Sequence, residues 1–208
     1  MSEYAIINII INIIITNMIK TTIITAVSIG STATILYGTL RQHKKIIVFD
    51  IDNTLVHAKS QHRIKTLNMT TYKKCNFTFR DLDEDDSETI YDVWERPYLN
   101  VIIPLLSKFA TLHIFTSADK HYADNILNNI NITKYFDKIL YDDSWDLNQS
   151  KDLKLVPGDS KDKILVDDRN FNNYKADNTL FYHIPSYRVH AKHDYELVKF
   201  FFKWMFVL

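Results

Sequence analysis

The amino-acid sequence predicts an α/β protein in which helices cover both faces of a parallel sheet, preceded by an apolar N-terminal segment. From residue 41 onward, short apolar runs alternate with amphipathic stretches, which is typical of a parallel sheet. Three of the apolar runs are followed directly by carboxylate or hydroxyl side chains. Charged residues are rare at the N-terminus, where Glu3 and Lys20 are the only two before Arg41. We therefore predict two parts, an apolar segment at 1–40 and a folded domain at 41–208.

The apolar segment contains an uncharged run at Thr21–Leu40 that has the length of a membrane-spanning helix. Arg41, Lys44 and Lys45 follow it, and a basic flank tends to stay on the cytoplasmic side of a membrane. We expect an uncleaved membrane anchor with the folded domain facing the cytoplasm. The alternatives are an additional packed helix or an aggregation-prone segment, with a soluble cytoplasmic or nuclear protein.

Composition excludes several classes of function. The 208 residues include 25 Lys and Arg against 25 Asp and Glu, so no overall basic field favours direct nucleic-acid binding. The three glycines are too few and too scattered for a phosphate-binding loop or a dinucleotide fingerprint. A single cysteine, Cys75, excludes an internal disulfide and a cysteine-rich zinc site.

The folded domain contains five short apolar runs that predict buried strands. They are Lys45–Phe49, Leu112–Phe115, Lys138–Tyr141, Ile164–Val166 and Leu180–His183. Three amphipathic stretches predict helices at Tyr98–Phe109, Lys120–Asn129 and Tyr195–Phe206. In such a sheet, ligands bind beyond the carboxyl ends of the strands.

Chemistry-bearing residues follow the predicted strands at that edge. Asp50 and Asp52 come after the first strand, Thr116 and Ser117 after the second, and Asp167-Asp168 after the fourth. Each pair of carboxylates about 5 Å apart would repel by roughly 3 kcal/mol at an effective dielectric of about 20. A hard divalent cation removes that repulsion, and an all-oxygen ligand set favours Mg²⁺. Since such a metal keeps open positions for phosphate oxygens, the edge is suited to phosphoryl chemistry.

The residues from Asp50 to His57 resemble the DxDxT signature of the haloacid dehalogenase superfamily. The trailing Leu55-Val56-His57 is similar to the branch of RNA polymerase II C-terminal-domain phosphatases (FCP/SCP, or NIF-type). Further similarities follow in the family's order over residues 45–205: Arg96-Pro97, Phe115-Thr116 with Tyr122-Ala123-Asp124, Lys151-Asp152-Leu153, Ile164–Arg169 and Glu196-Leu197. The resemblance implies a Rossmannoid sheet with a small β insertion between the first and second motifs, at Tyr72–Arg80 and Thr89–Trp94.

The resemblance also implies a role for each residue. Asp50 would be the nucleophile that forms an aspartyl-phosphate, and Asp52 the general acid and base. Thr116 would bind a phosphoryl oxygen and Lys151 would stabilise its charge. The Mg²⁺ ligands would be Asp50, Asp168 and the backbone carbonyl of Asp52. Asp167 would hold Lys151 or a metal-bound water, with Tyr122 as a supporting residue.

The chain departs from the family near the substrate pocket. Lys59-Ser60-Gln61 stands where the family has an aromatic residue, and Asp119-Lys120 where it tends to be apolar. An acidic run, Asp81–Glu88, is predicted to join the two insertion strands as a loop near the mouth of the site. We expect this run to disfavour acidic peptides.

The resulting hypothesis is a Mg²⁺-dependent phosphoserine and phosphothreonine protein phosphatase that acts on a phosphoprotein. Its alternative is a catalytically silent adaptor of the same fold, similar to the family's membrane import receptor, which binds a partner without turnover. Silent relatives have usually lost one of the two motif aspartates, whereas Asp50 and Asp52 are both present. The sequence does not indicate an oligomeric state.

Overall fold

The computed structural model describes residues 45–66, 74–82, 88–144, 151–169, 174–175, 179–189 and 193–206. The predicted anchor at 1–40 lies outside these residues. Among those that are described, no helix is both long enough and apolar enough to cross a bilayer.

The described residues form ten strands and four helices. The strands are β1 (Ile46–Phe49), β2 (Val56–Ser60), β3 (Phe77–Leu82), β4 (Glu88–Glu95), β5 (Thr111–Phe115), β6 (Lys138–Leu140), β7 (Lys151–Asp152), β8 (Lys163–Asp167), β9 (Tyr174–Lys175) and β10 (Leu180–His183). The helices are α1 (Gln61–Thr66), α2 (Leu99–Leu106), α3 (Lys120–Asn129) and α4 (Glu196–Phe206).

The central sheet has five parallel strands in the order β10-β8-β1-β5-β6. All four residues of β1 are buried, as expected for a strand covered on both faces. Ile46 and Val48 pack into one core cluster with Leu153 and Val156. On alternate positions, Phe49 instead meets Phe200 of α4, with the ring centroids 5.7 Å apart. The predicted α/β sheet is confirmed, and all five predicted strands are present.

The β insertion is a three-stranded antiparallel sheet in the order β2-β4-β3. The sequence predicts two of these strands and misses β2, which directly follows the first motif. The acidic run also differs from the expected loop, because Asp81 belongs to β3 and Glu88 to β4. Asp81 is buried, and its carboxylate pairs with His121 of α3. Residues 83–87 of the run lie outside the described part of the chain.

Helices α2, α3 and α4 follow the three predicted amphipathic stretches, with one end displaced, whereas the sequence does not predict α1. Helix α2 ends at Leu106 and contains Pro104. The predicted stretch continues beyond Leu106 as turns, in which the Phe109 and Ala110 N–H groups donate to the Leu106 carbonyl. The Ser107 hydroxyl then donates to the Pro104 carbonyl at 2.9 Å. Asp119 begins α3 by accepting a hydrogen bond from the Tyr122 N–H at 2.8 Å, which is the usual role of an aspartate at a helix start.

His113 is a buried titratable group in the middle of the sheet. It is 2% exposed, and neither ring nitrogen has a hydrogen-bond partner in the described structure. Burial lowers the pKa of His113 below its usual 6.5, against the opposing effect of Asp137. The unfolded chain therefore binds this proton at a higher pH than the folded one, so folding stability falls as the pH drops below about 6.5.

We expect His113→Leu to remove part of this pH dependence. Urea unfolding between about pH 7.5 and pH 5 should show a smaller loss of unfolding free energy in the variant than in the wild type. Phe109→Leu, at an exposed position that carries no titratable group, is the control and should keep the wild-type dependence on pH. If the unfolding free energy depends on pH in the same way in the wild type and in His113→Leu, the prediction is wrong.

Candidate active site

The first motif forms a tight loop at the carboxyl end of β1. Asp50 continues the ladder, since its N–H donates to the Val166 carbonyl at 3.0 Å. The N–H groups of Thr54 and Leu55 then both turn back to the Ile51 carbonyl. Asn53 adopts a left-handed conformation with φ of 59°, which asparagine tolerates better than most residues. The loop buries Asp50 almost completely and leaves Asp52 half-buried.

Lys151 lies between two carboxylates at the centre of this edge. Its Nζ donates to Asp50 Oδ1 at 2.7 Å and to Asp167 Oδ2 at 2.6 Å. All three side chains are buried. Asp167 also accepts a hydrogen bond from the Arg169 N–H at 2.8 Å, which fixes its carboxylate. The predicted convergence of Asp50, Lys151 and Asp167 is therefore present in the fold.

Burial determines the electrostatics of this triad. It raises the pKa of Asp50 to about 7, with Lys151 acting in the opposite direction and Asp167 adding to the rise. Burial alone would lower the pKa of Lys151, but Asp50 and Asp167 together raise it above its ordinary value. Lys151 therefore stays charged and is the local counter-ion for the carboxylates.

Asp52 occupies a different environment from Asp50. Its Oδ1 accepts a hydrogen bond from the Tyr122 hydroxyl at 2.8 Å. Burial raises the pKa of Asp52, and the Tyr122 hydrogen bond opposes that rise. Burial and the nearby Asp52 also raise the pKa of Tyr122, so its hydroxyl remains a proton donor.

Tyr122 is fixed by aromatic contacts with the insertion sheet. Its ring meets Tyr91 at a centroid distance of 5.1 Å and Phe79 at 5.5 Å, both edge to face. Such contacts add to the stabilisation from burial. The two departures at the start of α3 have structural roles, because Asp119 caps the helix and Lys120 pairs with Asp124 one turn later.

Thr116 follows β5, the sheet neighbour of β1. Since Phe49 pairs with Ile114, Thr116 lies one residue beyond the level of Asp50. It is fully buried, and its hydroxyl accepts a hydrogen bond from the Ala118 N–H at 3.1 Å. Its position at the shared edge agrees with the sequence-based expectation.

Three carboxylates at this edge form a group that could hold a metal ion. Oxygen atoms of Asp50, Asp167 and Asp168 lie within 4.8 Å of one another. Asp168 Oδ1 is buried without a hydrogen-bond partner in the described structure. A buried carboxylate oxygen of this kind needs a cation or a donor, and the oxygen-only set fits Mg²⁺. The residues present therefore fit the predicted metal. The group includes the side chain of Asp167 and not that of Asp52.

A buried ion pair between Arg96 and Asp194, which the sequence does not predict, stabilises the loop that follows β1. The Arg96 guanidinium makes two hydrogen bonds to Asp194, each 3.0 Å long. It also donates to the Thr54 carbonyl at 2.9 Å and to the Pro185 carbonyl at 2.5 Å. Arg96 belongs to a recognised motif, but Asp194 carries no motif signal. The one sequence signal that could have identified the ion pair is an aspartate shortly before the last predicted helix.

Replacing Tyr122 with phenylalanine removes the hydroxyl that holds Asp52. We expect Tyr122→Phe to lower kcat for an aryl phosphate by about tenfold, since one lost hydrogen bond to a charged group costs about 1.5 kcal/mol. Tyr141→Phe is the matched control. The Tyr141 hydroxyl donates a 2.7 Å hydrogen bond to Asp124, which lies on α3 as Tyr122 does. Equal kcat values for the two variants would argue against a role for the Tyr122 hydroxyl.

Comparison with known proteins places this arrangement in a family. A family model described as NLI interacting factor-like phosphatase matches residues 45–203. The CTD phosphatase-like protein 355R of Invertebrate iridescent virus 3 is 28% identical over 182 residues, which cover 75% of this chain and 92% of that protein. The C-terminal domain phosphatase of RNA polymerase II from Schizosaccharomyces pombe is 32% identical over 142 residues, 62% of this chain but 20% of that protein.

One further relative and one solved structure agree with these matches. Nuclear envelope morphology protein 1 of Saccharomyces cerevisiae is 29% identical over 87 residues, 42% of this chain and 19% of its own length. The structure of Fcp1, an essential RNA polymerase II CTD phosphatase, has the same fold with a TM-score of 0.53 and 22% identity, covering 71% of this chain and 45% of that one. The chain thus belongs to the NLI interacting factor-like phosphatases, and its relatives include CTD phosphatase-like proteins.

Proposed function

We propose that this phosphatase hydrolyses phosphoserine and phosphothreonine in proteins, in the presence of Mg²⁺, through an aspartyl-phosphate intermediate. The observation that carries the proposal is the Lys151 ammonium, which bridges Asp50 and Asp167 beside Asp168. The similarity to a polymerase C-terminal domain phosphatase supports a phosphoprotein substrate.

In the first step, an Asp50 oxygen attacks phosphorus and the bond from phosphorus to the serine or threonine oxygen breaks. Asp52 donates its proton to that leaving oxygen. In the second step, Asp52 takes a proton from water while the water oxygen attacks phosphorus, which releases inorganic phosphate and regenerates the Asp50 carboxylate. The two carboxylates have different environments, because Asp50 pairs with the Lys151 ammonium and Asp52 with the Tyr122 hydroxyl. Different environments allow two neighbouring carboxylates to take different roles.

The remaining residues position the substrate and neutralise its charge. Lys151 offsets negative charge on the phosphoryl group, and Thr116 donates a hydrogen bond to one of its oxygens. Asp50, Asp168 and the Asp52 backbone carbonyl would hold Mg²⁺, with Asp167 orienting Lys151. When bound, the metal supplies additional charge neutralisation at the phosphoryl oxygens.

Hydrolysis of an aryl phosphate and a phosphoserine peptide by the full chain tests the proposal. We expect turnover with Mg²⁺, loss of turnover on chelation, and recovery when Mg²⁺ is added back. Metal-independent turnover would reject the Mg²⁺ assignment. The absence of turnover on every substrate would instead favour the silent adaptor.

The division of the chain at residue 40 forms a second part of the proposal. We propose that the phosphatase domain occupies residues 41–208 and that residues 1–40 anchor it to a membrane. Fractionation with a carbonate wash tests this, since an anchored chain stays in the pellet. Release of the full chain into the supernatant would favour the soluble cytoplasmic or nuclear alternative.

A further inference from the structure

The buried face of strand β3 packs against the helix that carries Tyr122. Phe79 and Asp81 are buried and Arg80 between them is exposed, so alternate residues of β3 face inward. The Phe79 ring contacts the ring of Tyr122, and the Asp81 carboxylate is hydrogen-bonded to Nδ1 of His121. The insertion sheet therefore contacts two adjacent residues in the first turn of α3.

The hydrogen bond between Asp81 and His121 is anchored on its buried side. The Asp81 side chain is 10% exposed, whereas that of His121 is 63% exposed. A carboxylate only accepts hydrogen bonds, so His121 Nδ1 is the donor. Because a buried carboxylate without a donor is costly, this contact stabilises the position of β3 against α3.

This contact lies far from the point where the insertion sheet joins the core. Strand β4 ends at Glu95, and the next residue, Arg96, forms the buried ion pair with Asp194. Asp81 is opposite Thr89 in the register of the sheet, near the other end of β4. One end of the sheet is thus held by the chain and by Arg96, and the other end by the contact with α3.

The same turn of α3 positions the Tyr122 hydroxyl. The Tyr122 ring packs on Phe79 and Tyr91, but apolar burial has no preferred direction and tolerates sliding. A hydrogen bond has narrow limits of distance and angle, so the His121 contact restricts the helix more strictly. The Tyr122 hydroxyl lies 2.8 Å from Asp52 Oδ1, and a displacement of about 1 Å would break that bond.

We propose that Asp81 and His121 are positioning residues for the reaction, because their hydrogen bond holds α3 where the Tyr122 hydroxyl reaches Asp52. The inference rests on the proposed phosphatase function, in which Asp52 is the general acid and base. It gives the first residue of the acidic run a role in the interior of the protein. Since the contact acts through Tyr122, its loss should lower activity no further than loss of the Tyr122 hydroxyl does.

Asp81→Ala tests the proposal, with the full chain as enzyme and an aryl phosphate as substrate. We expect kcat to fall by about threefold to tenfold while KM stays unchanged. Asp81→Asn keeps an oxygen that accepts from His121, so it should restore most of kcat. His121→Ala removes the same contact from its exposed side and should give the same loss as Asp81→Ala.

The decisive measurement combines Asp81→Ala with Tyr122→Phe. If the contact acts through the hydroxyl, the double variant should have the kcat of Tyr122→Phe alone, whereas independent effects would multiply. A loss of activity that came from a general loss of stability would persist in the double variant.

Asp92→Ala is the matched control. Asp92 lies in β4 of the same sheet and accepts a 2.8 Å hydrogen bond from Gln61. It follows Tyr91 directly, so its side chain faces the other side of the sheet from the one that contacts Tyr122. Its replacement should leave kcat unchanged, both in the wild type and in Tyr122→Phe.

A wild-type kcat in Asp81→Ala would overturn the inference and leave the phosphatase function intact. A further loss of the same size in the Tyr122→Phe background would overturn it as well, because the contact would then act independently of the hydroxyl. A wild type that hydrolyses neither peptides nor aryl phosphates would reject the proposed function, and the inference with it.

Discussion

Asp50→Asn is expected to lower kcat for aryl phosphate hydrolysis by at least about 10⁴-fold, because loss of the proposed nucleophile removes the covalent route. Asparagine has almost the same shape, and Lys151 keeps its 2.6 Å hydrogen bond to Asp167. The folded structure should therefore persist, and circular dichroism should be unchanged. Single-turnover assays with Mg²⁺ would measure the loss, and acid-quenched samples should contain phosphorylated wild type but no phosphorylated variant.

Asp159→Asn is the matched control for that experiment. Asp159 has a side chain that is 76% exposed and lies before β8, at the opposite end of the sheet from Asp50. The same change of carboxylate to amide there should leave kcat unaltered. Residual activity of Asp50→Asn above about 10% of the wild type would show that Asp50 is not the nucleophile.

Lys151→Met is expected to damage both stability and activity. Methionine has a similar length but leaves two buried carboxylates, Asp50 and Asp167, close together without their shared cation. Breaking a buried ion pair on one side costs about 3 to 5 kcal/mol, a large part of the stability of a typical domain. Urea unfolding should show that loss, and kcat at a permissive temperature should fall by at least about 10²-fold.

Two additional variants separate the loss of stability from the loss of activity. Lys161→Met, at an exposed position, should change neither quantity. The double variant Lys151→Met and Asp167→Asn removes one of the two opposed carboxylates, so it should recover part of the stability but not the activity. If Lys151→Met unfolds at the wild-type urea concentration, the described ion pairs do not stabilise the fold.

The central sheet and the grouping of its polar residues could be predicted because both depend on local patterns. Apolar runs such as Ile46–Phe49 are buried on both faces, and the residues that follow parallel strands meet at one edge. Asp50 and Asp167 are brought together by that rule alone. Lys151 required the family resemblance, since nothing in its immediate sequence distinguishes it from a surface lysine.

Other features depend on contacts between distant segments, which local patterns do not encode. Strand β2 is half polar and gains its place by pairing with β4. Asp81 looks like part of a solvated acidic run, yet its partner is His121, 40 residues away.

The ion pair between Arg96 and Asp194 has a consequence for protein synthesis. Its two residues are 98 positions apart in the sequence. A chain synthesised only as far as residue 193 would have a buried arginine without its carboxylate beside the loop that follows β1. Dephosphorylation should therefore begin only after Asp194 has left the ribosome, and chains truncated before Asp194 should be sensitive to proteolysis.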